Sequence, residues 1–233
     1  MNNALIAFDF DGTLYPPIPY DSEDWILLKA GRGNPLKALL ARYAIISEHM
    51  RNFDFKSYNK VLSYNAKNMP FSRIDEIVDA ICKQTENISF EPLYRLKEMG
   101  NTLAIVSCGT DVMIERFLEK LGITDLFAGY KSKKLLFDEK KVLGYDFGEV
   151  NCPEFKVKTC LQYKEEFNCS SIISIGDGAT DIAMFKHSDF AVFIDWTNKH
   201  QGSEREGYPL VHDFEQLFEL IKSYLEETIG DRR

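Results

Sequence analysis

Ala4-Leu5-Ile6-Ala7-Phe8-Asp9-Phe10-Asp11-Gly12-Thr13 decides how this chain is read. The apolar run from Ala4 to Phe8 has no polar break and stops at a turn, which is the pattern of a strand buried on both faces. Two carboxylates follow at once. In an open parallel sheet the ligand crevice lies at the carboxyl ends of the strands, so Asp9 and Asp11 would stand on its floor. Aspartates at i and i+2 of such a turn can share one Mg2+, one through its side chain and the other through its carbonyl. A solvated turn, in which both side chains bond only local amides, is the competing reading of the same residues.

The same pattern recurs downstream. Residues 102–106 form an apolar strand ending at Ser107-Cys108-Gly109-Thr110, and a helix follows with Ile114, Phe117, Leu118 and Leu121 on one face and Gly122 at its close. Residues 172–175 read as another buried strand, leading into Gly176-Asp177-Gly178-Ala179-Thr180-Asp181, a short helix through Ile182, Met184 and Phe185, and a strand over 190–194. A helix with Leu217, Phe218, Ile221 and Leu225 on one side closes the chain, ahead of a frayed tail at 230–233. Strand and helix in alternation predict an α/β fold with a doubly wound parallel sheet.

Residues 15–85 break the pattern. Pro16-Pro17-Ile18-Pro19 makes a stiff extended link, and helical periodicity then appears over 25–29, 35–51, 58–68 and 72–84 with no convincing strand. The expected organisation is a core of residues 1–14 and 86–233 with a helical domain, 15–85, inserted after the first strand. A smaller excursion at 135–146, turning at Asp138-Glu139-Lys140, predicts a β-hairpin.

Composition excludes several classes. With 45% hydrophobic and 27% charged residues in 233, the chain is an ordinary globular one. Its 36 acidic against 28 basic residues give a net charge of −8, and no basic stripe is present, which argues against nucleic acid but not against a small anion held in a cleft. Cys82, Cys108, Cys152, Cys160 and Cys169 lack a C-x-x-C pair and zinc-ligand spacing, so they read as reduced thiols. No apolar stretch approaches the ~20 residues of a membrane span, and the first apolar run lacks a basic leader; a cytoplasmic protein with no membrane partner is expected. His49, His187, His200 and His212 occur singly, and neither a G-x-S-x-G elbow nor a G-x-x-x-x-G-K-[ST] loop is present.

Taken in order, Asp9-Phe10-Asp11-Gly12-Thr13, Val106-Ser107-Cys108-Gly109, the pair Lys156-Val157-Lys158 and Ile175-Gly176-Asp177-Gly178-Ala179-Thr180-Asp181 resemble the four motifs of the haloacid dehalogenase superfamily, in its phosphoserine-phosphatase-like branch. The resemblance covers residues 4–14 and about 90–194. It implies a phosphohydrolase on a Rossmann-like core, with the helical insert as a cap. Asp9 would be the nucleophile that takes the phosphoryl group as an aspartyl-phosphate, and Asp11 the general acid and base. Asp9, the Asp11 carbonyl and Asp177 would hold Mg2+, with Asp181 orienting them from behind. Ser107, the amides of Cys108 and Gly109, and Thr180 would contact the phosphate, although helix capping is an alternative for both hydroxyls. Lys156 is the expected charge-neutralising lysine and Lys158 the surface one.

Phosphoserine phosphatases carry a glutamate soon after the first motif and an arginine deeper in the cap. Here Leu14-Tyr15-Pro16-Pro17-Ile18-Pro19 follows Thr13, with no acid before Asp21, so a different small phosphate ester is the expected substrate. Tyr20, Asp21, Glu23, Trp25 and Arg32 are candidate substrate contacts. Two other functions stay open: a phosphotransferase or phosphomutase using the same phosphoenzyme, and a non-catalytic binding protein on this fold.

Overall fold

Strand β1 (Ala4–Phe8) is buried along its whole length because both of its faces are covered. Ala4, Ile6 and Phe8 pack in a layer with Leu93, Phe117, Leu217 and Ile221, whereas Leu5 and Ala7 pack in the opposite layer with Phe155, Cys160, Met184 and Phe185. A continuous apolar run is what a period-two strand needs when each face meets its own layer of helices. The computed structural model describes residues 3–48, 54–197 and 207–230.

After β1 come helices α1 (Ser22–Ala30), α2 (Pro35–Glu48), α3 (Phe55–Ala66), α4 (Ser72–Lys83) and α5 (Glu91–Glu98). Strand β2 (Thr102–Thr110), helix α6 (Asp111–Leu121), strands β3 (Gly129–Phe137) and β4 (Val142–Asp146), and helix α7 (Phe155–Glu166) follow. The chain continues through β5 (Ser171–Gly176), α8 (Ile182–Phe185), β6 (Phe190–Ile194), β7 (Leu210–Val211) and α9 (Phe214–Gly230). Among the described residues the sheet order is β4-β3-β2-β1-β5-β6-β7, and every pairing is parallel except that of β3 with β4. This is the expected doubly wound α/β fold.

Three details differ from the sequence reading. Strand β2 runs on to Thr110 through Ser107-Cys108-Gly109, expected as a loop, because β3 lies alongside it; the register of the pair shifts between Val106 and Thr110. Strand β3 starts at Gly129, before the expected hairpin, so one strand serves both the parallel sheet and the hairpin. The two residues of β7 are too few to show a period. His49, His200 and residues 49–51 and 231–233 of the expected helix and tail lie outside the described residues.

Helices α1 to α4 pack on one another between β1 and α5 in sequence. Asp21 caps α1, its side chain accepting from the Asp24 amide at 2.7 Å. The α3–α4 link is annealed to the hairpin by main-chain bonds: Asn68 N to Val142 O at 2.8 Å, Val142 N to Met69 O at 2.9 Å, and Phe71 N to Lys140 O at 2.9 Å. The Phe71 ring stacks on Phe137 with centroids 4.3 Å apart. Among the described residues no helix is long and apolar enough to cross a membrane.

Candidate active site

The Asp9 amide extends the β1–β5 ladder by donating to Ile175 O at 2.9 Å, so Asp9 leaves the sheet in the direction of the strand. The chain then turns, Thr13 N and Leu14 N both bonding Phe10 O at 3.2 and 2.9 Å. Gly12 makes this turn at φ +75°, and a Cβ there would lie 2.0 Å from Asp177 Oδ2. Glycine is therefore required twice over, for the left-handed backbone and for the approach of the loop after β5.

Asp9, Asp177 and Asp181 each bring a carboxylate oxygen within 4.8 Å of the others. The Lys156 ammonium, wholly buried at the start of α7, lies 2.6 Å from Asp181 Oδ1 and 3.0 Å from Asp9 Oδ1. Asp181 uses its second oxygen to accept from the amides of Asp177 and Gly178, both at 3.1 Å. Both of its oxygens are thus engaged. Asp9 Oδ1 is buried and, though close to Lys156, accepts no hydrogen bond. Lys158, by contrast, is exposed and pairs with Glu149 at the surface.

Crowded anions dominate the electrostatics. Burial pushes the Asp181 carboxyl up to about 6 in spite of Lys156, and it raises Asp177 well above the ordinary carboxylate range, with the charges of Asp181 and Asp9 adding to it. Burial would lower Lys156, but Asp181 and Asp9 overcome that and raise it, so its ammonium is held charged. With Asp181 taken up by Lys156 and two amides, Asp9 and Asp177 leave two further carboxylates to that single lysine, a hard, oxygen-only donor set short of positive charge, which fits Mg2+.

Asp11 finds its hydrogen-bond partners outside this cluster. The Tyr15 hydroxyl donates to Oδ1, as does the Ser22 amide at 2.9 Å, while Ser22 Oγ donates to Oδ2 at 2.9 Å. Burial raises its carboxyl to about 6; the Tyr15 and Ser22 hydrogen bonds pull it down and the Glu23 charge pushes it up. Ser107 is buried, its Oγ accepting from Gly109 N at 2.9 Å, and an ideal Cβ on Gly109 would sit 2.6 Å from Asp11 Oδ2, so this stretch of β2 touches the turn after β1. Burial drives the neighbouring Cys108 thiol up to about 12. Thr180 lies half-buried in the short turn of Ala179–Asp181.

Of the candidate substrate contacts, Tyr20 packs edge-on against Trp25, Asp21 is the α1 cap and Arg32 is exposed. Glu23 alone is buried beside Asp11, paired with Lys133. Tyr15, Ser22 and Lys133 were not legible as site residues: nothing local marks Tyr15, and Ser22 and Lys133 reach the site only through long-range folding.

A family model described as haloacid dehalogenase-like hydrolase matches residues 6–186. A phosphoserine phosphatase of Methanocaldococcus jannaschii is 30% identical over 81% of this chain and 83% of its own length, and one of Campylobacter jejuni is 28% identical over 81% and 85%. A substrate-bound phosphoserine phosphatase structure superposes with a TM-score of 0.75 at 20% identity, covering 94% of this chain and 99% of that one, which speaks to the fold. With the matched region spanning the strands and turns that carry every residue described above, the chain belongs to the haloacid dehalogenase-like hydrolases, in their phosphoserine-phosphatase-like branch.

Proposed function

We propose that this enzyme is a Mg2+-dependent phosphomonoesterase that hydrolyses a small phosphorylated metabolite through an aspartyl-phosphate on Asp9. The observation that carries the reading is the convergence of Asp9, Asp177 and Asp181 around one point, with buried Lys156 alongside. Asp9, Asp177 and the Asp11 carbonyl would hold the ion, which when bound neutralises charge between the carboxylate and the phosphoryl group.

Each remaining step belongs to the chain. An Asp9 oxygen bonds to phosphorus as the bond from phosphorus to the alcohol oxygen breaks, and Asp11 gives that oxygen a proton. Water then attacks the same phosphorus, passes a proton to Asp11, and releases phosphate with Asp9 restored. A carboxyl raised to about 6 is suited to both roles near neutral pH, and Tyr15 and Ser22 fix its orientation. Lys156 holds positive charge beside Asp9, and Asp181 holds Lys156 in place. Ser107, the amides of Cys108 and Gly109, and Thr180 would receive the phosphate oxygens. The helical insert acts as a cap: its first helix supplies Ser22 to Asp11, which ties cap position to proton transfer. Five free cysteines suit a reducing compartment, and we place the enzyme in the cytoplasm.

The test is phosphate release from a panel of phosphorylated metabolites, including phosphoserine, with and without Mg2+, in wild type and Asp9→Asn. Release that needs Mg2+ and Asp9, with an acid-stable, hydroxylamine-labile phosphoenzyme labelled on Asp9, is the expected result. Label on another residue sinks the mechanism.

A further inference from the structure

Glu23 and Lys133 form a second buried ion pair that phosphoryl transfer does not use. Glu23 belongs to α1 of the insert and Lys133 to β3 of the sheet, and their side chains are 8% and 0% exposed. The ammonium lies 2.8 Å from Oε2 and 3.1 Å from Oε1 of Glu23. Thr110 Oγ1 donates to Oε1 at 3.2 Å and shares a 3.0 Å contact with the Tyr145 hydroxyl. The same ammonium sits 5.0 Å from the centroid of Phe55 and 5.4 Å from that of Tyr58. A carboxylate, a hydroxyl and two aromatic rings are the groups that bind an ammonium ion. Here the ammonium is the chain's own.

This pair adjoins the proton donor of the proposed reaction. Ser22, next to Glu23, gives Asp11 both its amide and its hydroxyl, and Gly109, next to Thr110, approaches Asp11 Oδ2. Asp11 marks the leaving oxygen, so the rest of the alcohol lies on this side of the site. We propose that Lys133 is a specificity-determining residue: it fills an ammonium site beside Asp11 from within, so the enzyme favours phosphate esters of uncharged alcohols over esters whose alcohol carries an ammonium. An ammonium-bearing leaving group finds Glu23 already neutralised and meets a like charge in a buried setting. The proposal rests on the phosphatase reading above and is tested so that the two can fail separately.

Two esters of equal size, 2-hydroxyethyl phosphate and 2-aminoethyl phosphate, serve as probes. Wild type and Lys133→Arg are expected to favour the hydroxyl ester by tenfold or more in kcat/KM. Lys133→Ala should reverse the preference, and Lys133→Ala combined with Glu23→Gln should abolish it. A wild type that favours the amino ester, or a folded Lys133→Ala whose ratio stays within twofold of wild type, overturns the proposal. If Lys133→Ala does not fold with Glu23 unpaired, the wild-type ratio and the double variant decide in the same way. A second readout needs no turnover: millimolar ethylammonium should raise the melting temperature of Lys133→Ala and leave wild type unmoved, and no rise in the folded variant counts against the proposal. Absence of any Asp9-dependent phosphate release would refute the phosphatase reading, while the ethylammonium result would still decide the ammonium site.

Discussion

Replacing Gly12 by alanine should separate stability from function. The backbone there has φ +75°, where a Cβ costs about 1–2 kcal/mol. The Cβ would also stand 2.0 Å from Asp177 Oδ2, against ordinary contact at 3.4 Å, so that oxygen must retreat by about 1.4 Å. Asp177 is half-buried at the end of a short carboxylate side chain, and it can move without disrupting the core. The cluster it belongs to spans only 4.8 Å, and a displacement of this size takes it out of register with Asp9. Misplacing a reacting group by about 1 Å costs about 100-fold in rate. Gly12→Ala is therefore expected to keep its fold, lose a few degrees in melting temperature, bind Mg2+ more weakly, and lose about 100-fold in kcat/KM. Calorimetric Mg2+ titration, thermal melts and steady-state kinetics read the three quantities. A variant with Mg2+ affinity and kcat/KM within twofold of wild type would refute the link between Gly12 and Asp177.

Lys156→Met leaves Asp9 and Asp181 buried without a cation, so a loss of about 3–5 kcal/mol in denaturant unfolding is expected together with loss of turnover; Lys158→Met, at an exposed pair, should change neither. With Asp11 titrating at about 6, kcat/KM for an alkyl phosphate should fall tenfold per pH unit above that value, while p-nitrophenyl phosphate, whose leaving group needs no proton, should show a flatter profile; parallel profiles would contradict the acid role. Asp11 and Asp181 are raised to about 6 from 3.8, so the folded protein binds more protons than the unfolded one between these values. Their contribution to stability then falls as pH rises from about 4 to 6 and stays low above it. Added Mg2+ should accordingly raise the melting temperature more at pH 7.5 than at pH 5, and equal shifts at the two pH values would speak against a cation in this cluster.

What could be read from sequence was local. Continuous apolar runs mark β1, β5 and β6 because each needs only its own residues to cover two faces, and the turns that follow place Asp9 and Asp177 at adjacent strand ends. Lys156 was separable from Lys158 only by resemblance; in the fold, one is buried and the other exposed. What was hidden depends on distant partners. Tyr130-Lys131-Ser132-Lys133-Lys134 looks like a solvated stretch, and nothing near it announces that Lys133 is buried against a glutamate 110 positions away. Ser22 reaches Asp11 only because the proline-rich link folds back, which no periodicity reports. Strand β2 outlasts its apolar run because its neighbour supplies the pairing.

The bonds joining the α3–α4 link to β4 bear on how the molecule assembles and how it could be rebuilt. Residues 68–71 complete their main-chain pairing only with 140–142, which leave the ribosome about 70 residues later. During synthesis the helical insert must wait, with its pairing edge open, until β2, α6 and β3 have been made. An excised fragment of residues 15–85 would keep that edge exposed and so be inclined to self-associate. A graft that exchanged the insert for another would have to carry the β3–β4 hairpin with it, because the two distant stretches of sequence form a single unit of structure.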